Sequence, residues 1–257
     1  MKKLSLKVTL LAVIVLAALN LTGCVVFHSQ TDINDDGSGT AELTLSIDPS
    51  VQEAIAELQA MDTDQNEDMD FPLLDDVDQD KIKKAGAEYG VSIKKFEKGL
   101  VDGRQTLNIV LEYKDLRGFS YVMGRIMGDG NSGEGMGIYD AGDGNFVLKQ
   151  AQYDFPVDPA DEEVVEEITP EDMQSLDPQQ MQKQMEIMGK LMGAMAELDV
   201  SFKITVPGHI VSSNAPETDG RTSIWTINAD NMMTMDQEMD PEIVFSAKGL
   251  KITPLTK

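Results

Sequence analysis

The sequence predicts an α+β fold: one domain with a mostly antiparallel sheet covered by helices at about 49–60, 115–127 and 178–197, and with acidic surface loops. Three observations lead there. Ala41, Leu43, Leu45 and Ile47 alternate with Glu42, Thr44 and Ser46, as residues of a half-buried strand do. Other stretches carry apolar residues at helical spacing instead. Strands and helices then interleave without the regular alternation that builds a parallel sheet.

The elements follow in order. Val25 to Ile33 and Ala41 to Ile47 read as the arms of a hairpin, with Asp36-Gly37 as its turn. Asp48-Pro49 is an N-cap and first helical position, and Val51, Ala54, Ile55 and Leu58 share one helical face. Residues 62–80 hold nine acids and no Lys or Arg, the mark of a solvated loop. A short helix is expected at 80–88. Val91 to Phe96 and Leu107 to Tyr113 are two strands joined through Val101-Asp102-Gly103. Asp115 caps a helix whose apolar face is Leu116, Phe119, Met123 and Ile126. Gly128 to Gly144, rich in Gly, Asp and Asn, is expected to be a flexible loop. A strand at 146–153 precedes a second acidic stretch, 157–172, with eight acids and no base. The longest helix is placed at 178–197, and strands are expected at 200–206, 222–228 and 242–248.

Composition narrows the function classes. The 257 residues include 45 acidic and 21 basic side chains, and 41% are hydrophobic. That hydrophobic share supports a folded core, while so strong a negative charge is repelled by nucleic acid and excludes it as a partner. With a single Cys, intramolecular disulfides are excluded.

Residues 1–24 have the parts of an export signal: Lys2, Lys3 and Lys7, then an apolar run from Val8 to Leu19. Twelve apolar residues are too few to span a bilayer, where a helix needs about 20. The closing Leu21-Thr22-Gly23-Cys24 resembles the lipobox of bacterial lipoproteins. The resemblance implies cleavage after Gly23 and a mature domain, 24–257, held to the membrane by acyl chains on Cys24. Two or three chains anchor stably where one does so only marginally. Val25 after the Cys, rather than Asp, implies the outer membrane if the envelope is Gram-negative. Loss of residues 1–23 leaves 18 basic against 45 acidic residues, a net charge of −27. No further stretch is long and apolar enough to predict a transmembrane helix.

Few motifs point to chemistry. Asp32, Asn34, Asp36 and Gly37 match the first half of a calcium loop, but its twelfth position is Leu43 rather than a bidentate acid, so a hairpin turn is the simpler reading. Met181, Met185, Met188, Met192 and Met195 lie on one stripe of the long helix, beside a stripe of Ile187, Leu191, Ala194 and Leu198. The Met stripe is either core or an adaptable surface for a lipid or a partner. Copper(I) binding, with Met232, Met233, Met235 and Met239 in support, lacks a clustered His or Cys. Gly128-Asp129-Gly130-Asn131-Ser132-Gly133 matches a dinucleotide fingerprint by letter only, because a helix precedes it. His28 and His209 are far apart in sequence and suggest neither a triad nor a zinc set. Trp225, on an alternating strand, reads as core rather than as a sugar platform. No enzyme, no cofactor and no metal centre is expected.

The lipobox, the Asp35-Asp36-Gly37 hairpin with Gly39-Thr40-Ala41-Glu42-Leu43, the Glu112-Tyr113-Lys114-Asp115-Leu116 stretch, Val206-Pro207-Gly208-His209-Ile210 and Ser223-Ile224-Trp225-Thr226-Ile227 together resemble the LppM-like family of bacterial envelope lipoproteins. That resemblance implies a lipid-anchored α+β domain that binds a lipid or glycolipid. The acidic stretches and the Met-rich helix depart from it. The expected partners are the membrane, through the acyl chains, and either a lipid ligand or another envelope protein.

Overall fold

The computed structural model describes residues 24–60, 74, 77–127, 133–155, 178–231 and 240–256. The export signal, most of the first acidic stretch, the second acidic stretch, most of the dinucleotide-like glycine run and Met232, Met233, Met235 and Met239 lie outside the described residues. The architecture is mixed α/β and mostly strand, with two open sheets rather than the single one expected.

The first sheet has seven strands. β1 (Val25–Ile33) and β2 (Gly39–Ile47) form the expected hairpin, and β3 (Val91–Val101) and β4 (Arg104–Tyr113) form a second. Asp102 and Gly103 turn the second hairpin with φ of 50° and 83°, the left-handed pair that a two-residue turn between twisted strands requires. β5 (Glu134–Gly142), β6 (Asn145–Gln152), β7 (Leu198–Thr205), β8 (Ile210–Ser213), β9 (Glu217–Asp219), β10 (Thr222–Asn228) and β11 (Ile243–Ser246) complete the set. The seven-stranded order is β3-β4-β2-β1-β7-β10-β9 and the four-stranded order is β5-β6-β11-β8. Among the described residues all strand pairs are antiparallel except β1 with β7, in which Phe27 faces Val200 and Thr31 faces Ile204.

β5 corrects the expectation of a flexible loop from Gly128 to Gly144. Its residues pair with β6 from Glu134–Gln152 to Gly142–Asn145. The glycines here admit close neighbours: a Cβ at Gly135 would collide with the Ser120 hydroxyl, and one at Gly137 with Ala151 and Leu255. Composition alone reads such glycines as flexibility, whereas this sheet uses them for proximity.

Four helices are described: α1 (Pro49–Ala60), α2 (Gln79–Glu88), α3 (Leu116–Met127) and α4 (Pro178–Met195). The first three start on aspartates that accept from early helical N–H groups. Asp48 accepts from Ser50 at 2.9 Å, Asp78 from Asp80 at 2.8 Å and Asp115 from Gly118 at 2.8 Å. α1 packs with α4, while α2 and α3 pack with each other and α3 also meets β5.

The core joins the inner faces of both sheets to these helices. Leu43, Ile109, Leu111 and Tyr113 come from the first hairpins, Ile204 and Trp225 from β7 and β10, and Leu148, Ile243 and Phe245 from the second sheet. Trp225 is thus core, as its alternating strand predicts. Among the described residues no helix is long and apolar enough to cross a membrane.

Candidate functional site

An apolar groove of about 290 Å³ lies between α3, the paired strands β1 and β7, and the start of β5. The floor follows from strand alternation. Phe27, Ser29 and Thr31 point to the inner face of β1, and the parallel register sets Ser29 beside Phe202 and Thr31 beside Ile204. Phe27 and Phe202 pack ring against ring, with centroids 5.4 Å apart at 52°. The roof follows from helical periodicity. Phe119, Met123 and Met127 recur every four residues, and the small Ser120 and Gly124 run alongside them. Gly135 and Met136 close one side.

The space exists because small residues stand where large ones would fill it. Ser29, Ser120, Gly124 and Gly135 line the groove among three Phe and three Met side chains. Ser120 also ties roof to wall: its hydroxyl donates to the Leu116 carbonyl at 2.8 Å and accepts from the Met136 N–H at 3.2 Å. That use of both capacities leaves the hydroxyl satisfied in an apolar setting. The ionisable lining residues are Glu134 and Lys203, both exposed at the rim. Such a lining offers apolar contact by burial.

Beside the groove, Tyr89, Tyr121, Tyr153 and Phe155 form an aromatic cluster against α3. Tyr89 and Tyr121 stack with centroids 3.9 Å apart, and the Arg117 guanidinium lies 5.7 Å from the centre of the Phe155 ring. The Tyr153 hydroxyl donates to the Met136 carbonyl at 2.7 Å, and burial pushes its pKa up to about 12. Burial likewise raises Tyr113, whose hydroxyl reaches the Asp32 carbonyl.

Cys24 sits immediately before β1, half-buried against the core. Its Sγ lies 3.3 Å from a Glu197 carboxylate oxygen, and its carbonyl accepts from the Asp48 N–H at 2.8 Å. Partial burial and then the Glu197 contact push the thiol pKa up, so the free side chain is a protonated thiol rather than a reactive thiolate.

Of the Met stripe, the two methionines whose side chains are described, Met185 and Met192, do not line the groove. Met185 and Met192 are 64% and 67% exposed, while Ile187 and Ala194 on the neighbouring stripe are buried, Ile187 against Ala54 of α1. The side chains of Met181, Met188 and Met195 lie outside the described residues. The groove's own methionines are Met123, Met127 and Met136. Sequence reasoning identified Phe119 and Met123 as an apolar helix face but not as a roof. The adjacent small stripe, Ser120 and Gly124, was the signal that space remained beside it.

The calcium-like segment forms a tight turn. Asn34 N–H donates to the Ser38 carbonyl at 2.7 Å, and Asp36 accepts from the Ser38 hydroxyl at 2.6 Å. Those Ser38 bonds hold the Asp36 carboxyl below its ordinary pKa. Among the described residues no three or more His, Cys, Asp or Glu side chains are grouped to hold a metal. His28 pairs with Asp199 at 3.2 Å on the strand face opposite the groove, both half-exposed.

No protein-family description and no curated protein matches the chain. Among solved structures, the folded domain of the LppM protein of Mycobacterium tuberculosis is similar, with a TM-score of 0.40 at 11% identity over 88% of this chain and 94% of that one.

Proposed function

We propose that the chain is a bacterial envelope lipoprotein, anchored through acyl chains on Cys24, that binds a lipid or other apolar ligand in the groove beneath α3 and catalyses no reaction. The groove carries this reading: Phe27, Phe202, Met123 and Met136 offer adaptable apolar contact around space that small residues leave open. Its volume is near the lower end for small-molecule sites, roughly 300 Å³, which suits part of an acyl chain better than a bulky ring system. The helices shield the inner face of the sheet on this reading, and α3 is the element that a ligand displaces. In a Gram-negative envelope the anchor faces the periplasm from the outer membrane.

The test is mass spectrometry of organic extracts from residues 25–257, exported to a bacterial periplasm and purified without detergent. The expected result is a stoichiometric lipid, lost in Ser29→Trp, whose indole fills the groove. Protein that stays lipid-free after incubation with native envelope lipids would end the reading. Cys24→Ser is expected to abolish incorporation of a fatty-acid analogue, and persistent labelling removes the anchor.

A second reading is docking on another envelope protein. Met185 and Met192 support it, because thioethers exposed on one helix offer a repackable apolar surface. Crosslinking in cells from Met192 would then capture one partner protein.

A further inference from the structure

One end of the seven-stranded sheet collects features that no groove explains. Val25 pairs with Ile47, Ile47 with Gln105, and Gln105 with Leu100. One residue further along each strand lies the row Cys24, Asp48, Arg104 and Val101. The parallel pairing of Val25 with Leu198 extends that row to Glu197. The contacts agree with the register: Asp48 N–H donates to the Cys24 carbonyl, and the Cys24 thiol reaches Glu197. The tip of the β3–β4 hairpin therefore stands level with Cys24, three strand spacings away, or about 14 Å.

That tip is apolar and open. Leu100 is 72% and Val101 55% exposed, on a strand with no neighbour beyond it among the described strands of the sheet. Exposed edge strands ordinarily carry charge to prevent pairing, and further along β3 does so with Lys94, Lys95 and Lys98. Residues 94–104 hold four basic and two acidic side chains in a mature chain of net charge −27. Lys94 and Lys95 pair with Glu112 and Glu97 of the same hairpin, so the charges nearest the apolar tip are Lys98, Asp102 and Arg104, a point less acidic than the body that carries it.

We propose that the β3–β4 tip is a second membrane contact, with Leu100 and Val101 entering the interface of the leaflet that holds the Cys24 acyl chains and Lys98 and Arg104 facing its anionic headgroups. The inference rests on acylation of Cys24. β1 begins at Val25, so no spacer separates the anchor from the fold. A domain tethered so closely brings the row beside Cys24 to headgroup level, and the tip lies within the depth, about 5–10 Å, that interfacial apolar side chains occupy. Two contacts 14 Å apart also fix the tilt of the domain, which one flexible tether leaves free.

The single native Cys supplies the test. In the full-length protein with Leu100→Cys, acylation consumes Cys24 and leaves one thiol for an environment-sensitive fluorophore. The labelled protein is reconstituted in vesicles of phosphatidylethanolamine and phosphatidylglycerol and compared with Thr218→Cys on exposed β9, at the far edge of the sheet. A blue shift and quenching by spin-labelled lipid at position 100, absent at 218, is the expected result. Incorporation of a fatty-acid analogue is measured on the same samples. Acylated protein with an aqueous signal at both positions overturns the tip contact and leaves the anchor intact. Absence of the fatty-acid label overturns the anchor, and the tip contact with it.

Discussion

Helices α3 and α4 both carry apolar stripes, yet among the described side chains the shorter helix buries more than the longer. In α3 the residues Leu116, Phe119, Val122 and Ile126 are buried, and Phe119 packs on Tyr113 with ring centroids 5.0 Å apart. In α4 the described contacts are narrower. Ile187 and Ala194 are buried, Leu191 is half-buried, and Met185 and Met192 face solvent. The difference lies in the partner surface. α3 meets both β4 of the first sheet and β5 of the second, whereas among the described residues α4 packs mainly on another helix, α1, and reaches the main core through Ala194 and Leu191. Helical spacing states that a stripe exists; the width of the opposing surface decides how much of it is buried.

The contrast is tested most strongly by Phe119→Ala. Removing a buried ring between the sheets is expected to cost about 3–5 kcal/mol, seen as a large drop in the denaturant midpoint at unchanged slope. A cost below about 1 kcal/mol would place α3 on the surface and break the comparison. Ser120→Ala comes next. It leaves the Met136 N–H without its acceptor in a part-buried place, at a cost of about 1–3 kcal/mol, measured by the same unfolding curves.

Alkaline pH separates the regions by chemistry, because the aromatic cluster beside α3 holds tyrosines and neither α1 nor α4 contains one. Tyr153 has a folded pKa of about 12 against an ordinary value of 10.0, so the unfolded chain loses that proton first. Stability from this group is fully present below pH 10 and is lost as the pH rises from 10 towards 12, at no more than about 1.4 kcal/mol per pH unit. Tm is expected to fall across that window and to fall less steeply in Tyr153→Phe. Equal slopes would show that the hydroxyl titrates alike in both states. The smallest effect is expected of Met192→Gln, within about 0.5 kcal/mol of the parent by chemical denaturation. A loss of several kcal/mol would mean that the exposed stripe is covered after all.

Much of the fold was legible. The β1–β2 hairpin, the helices at Pro49–Ala60, Leu116–Met127 and Pro178–Met195, and the caps Asp48 and Asp115 follow from alternation, helical spacing and the chemistry of side chains that accept from free N–H groups. β5 was hidden because Gly135 and Gly137 read as loop residues, although each stands where a Cβ would strike a neighbour. The groove was hidden for a different reason. Phe27 and Phe202 look like ordinary inward strand residues, and only the pairing of β1 with β7, across more than 160 residues of chain, makes them one floor.

By itself the sequence determined where most of the strands and helices form, which face of each of those is apolar, and where the chain carries its lipobox-like Cys24. These depend on residues a few positions apart, whose spacing sets the face they share. Tertiary structure alone decided that there are two sheets, that β1 and β7 run parallel, that α3 roofs a groove while Met185 and Met192 stay exposed, and that Leu100 and Val101 stand level with Cys24. Each of those outcomes turns on which distant edges meet, and a local pattern fits several such meetings equally well until the whole core is packed.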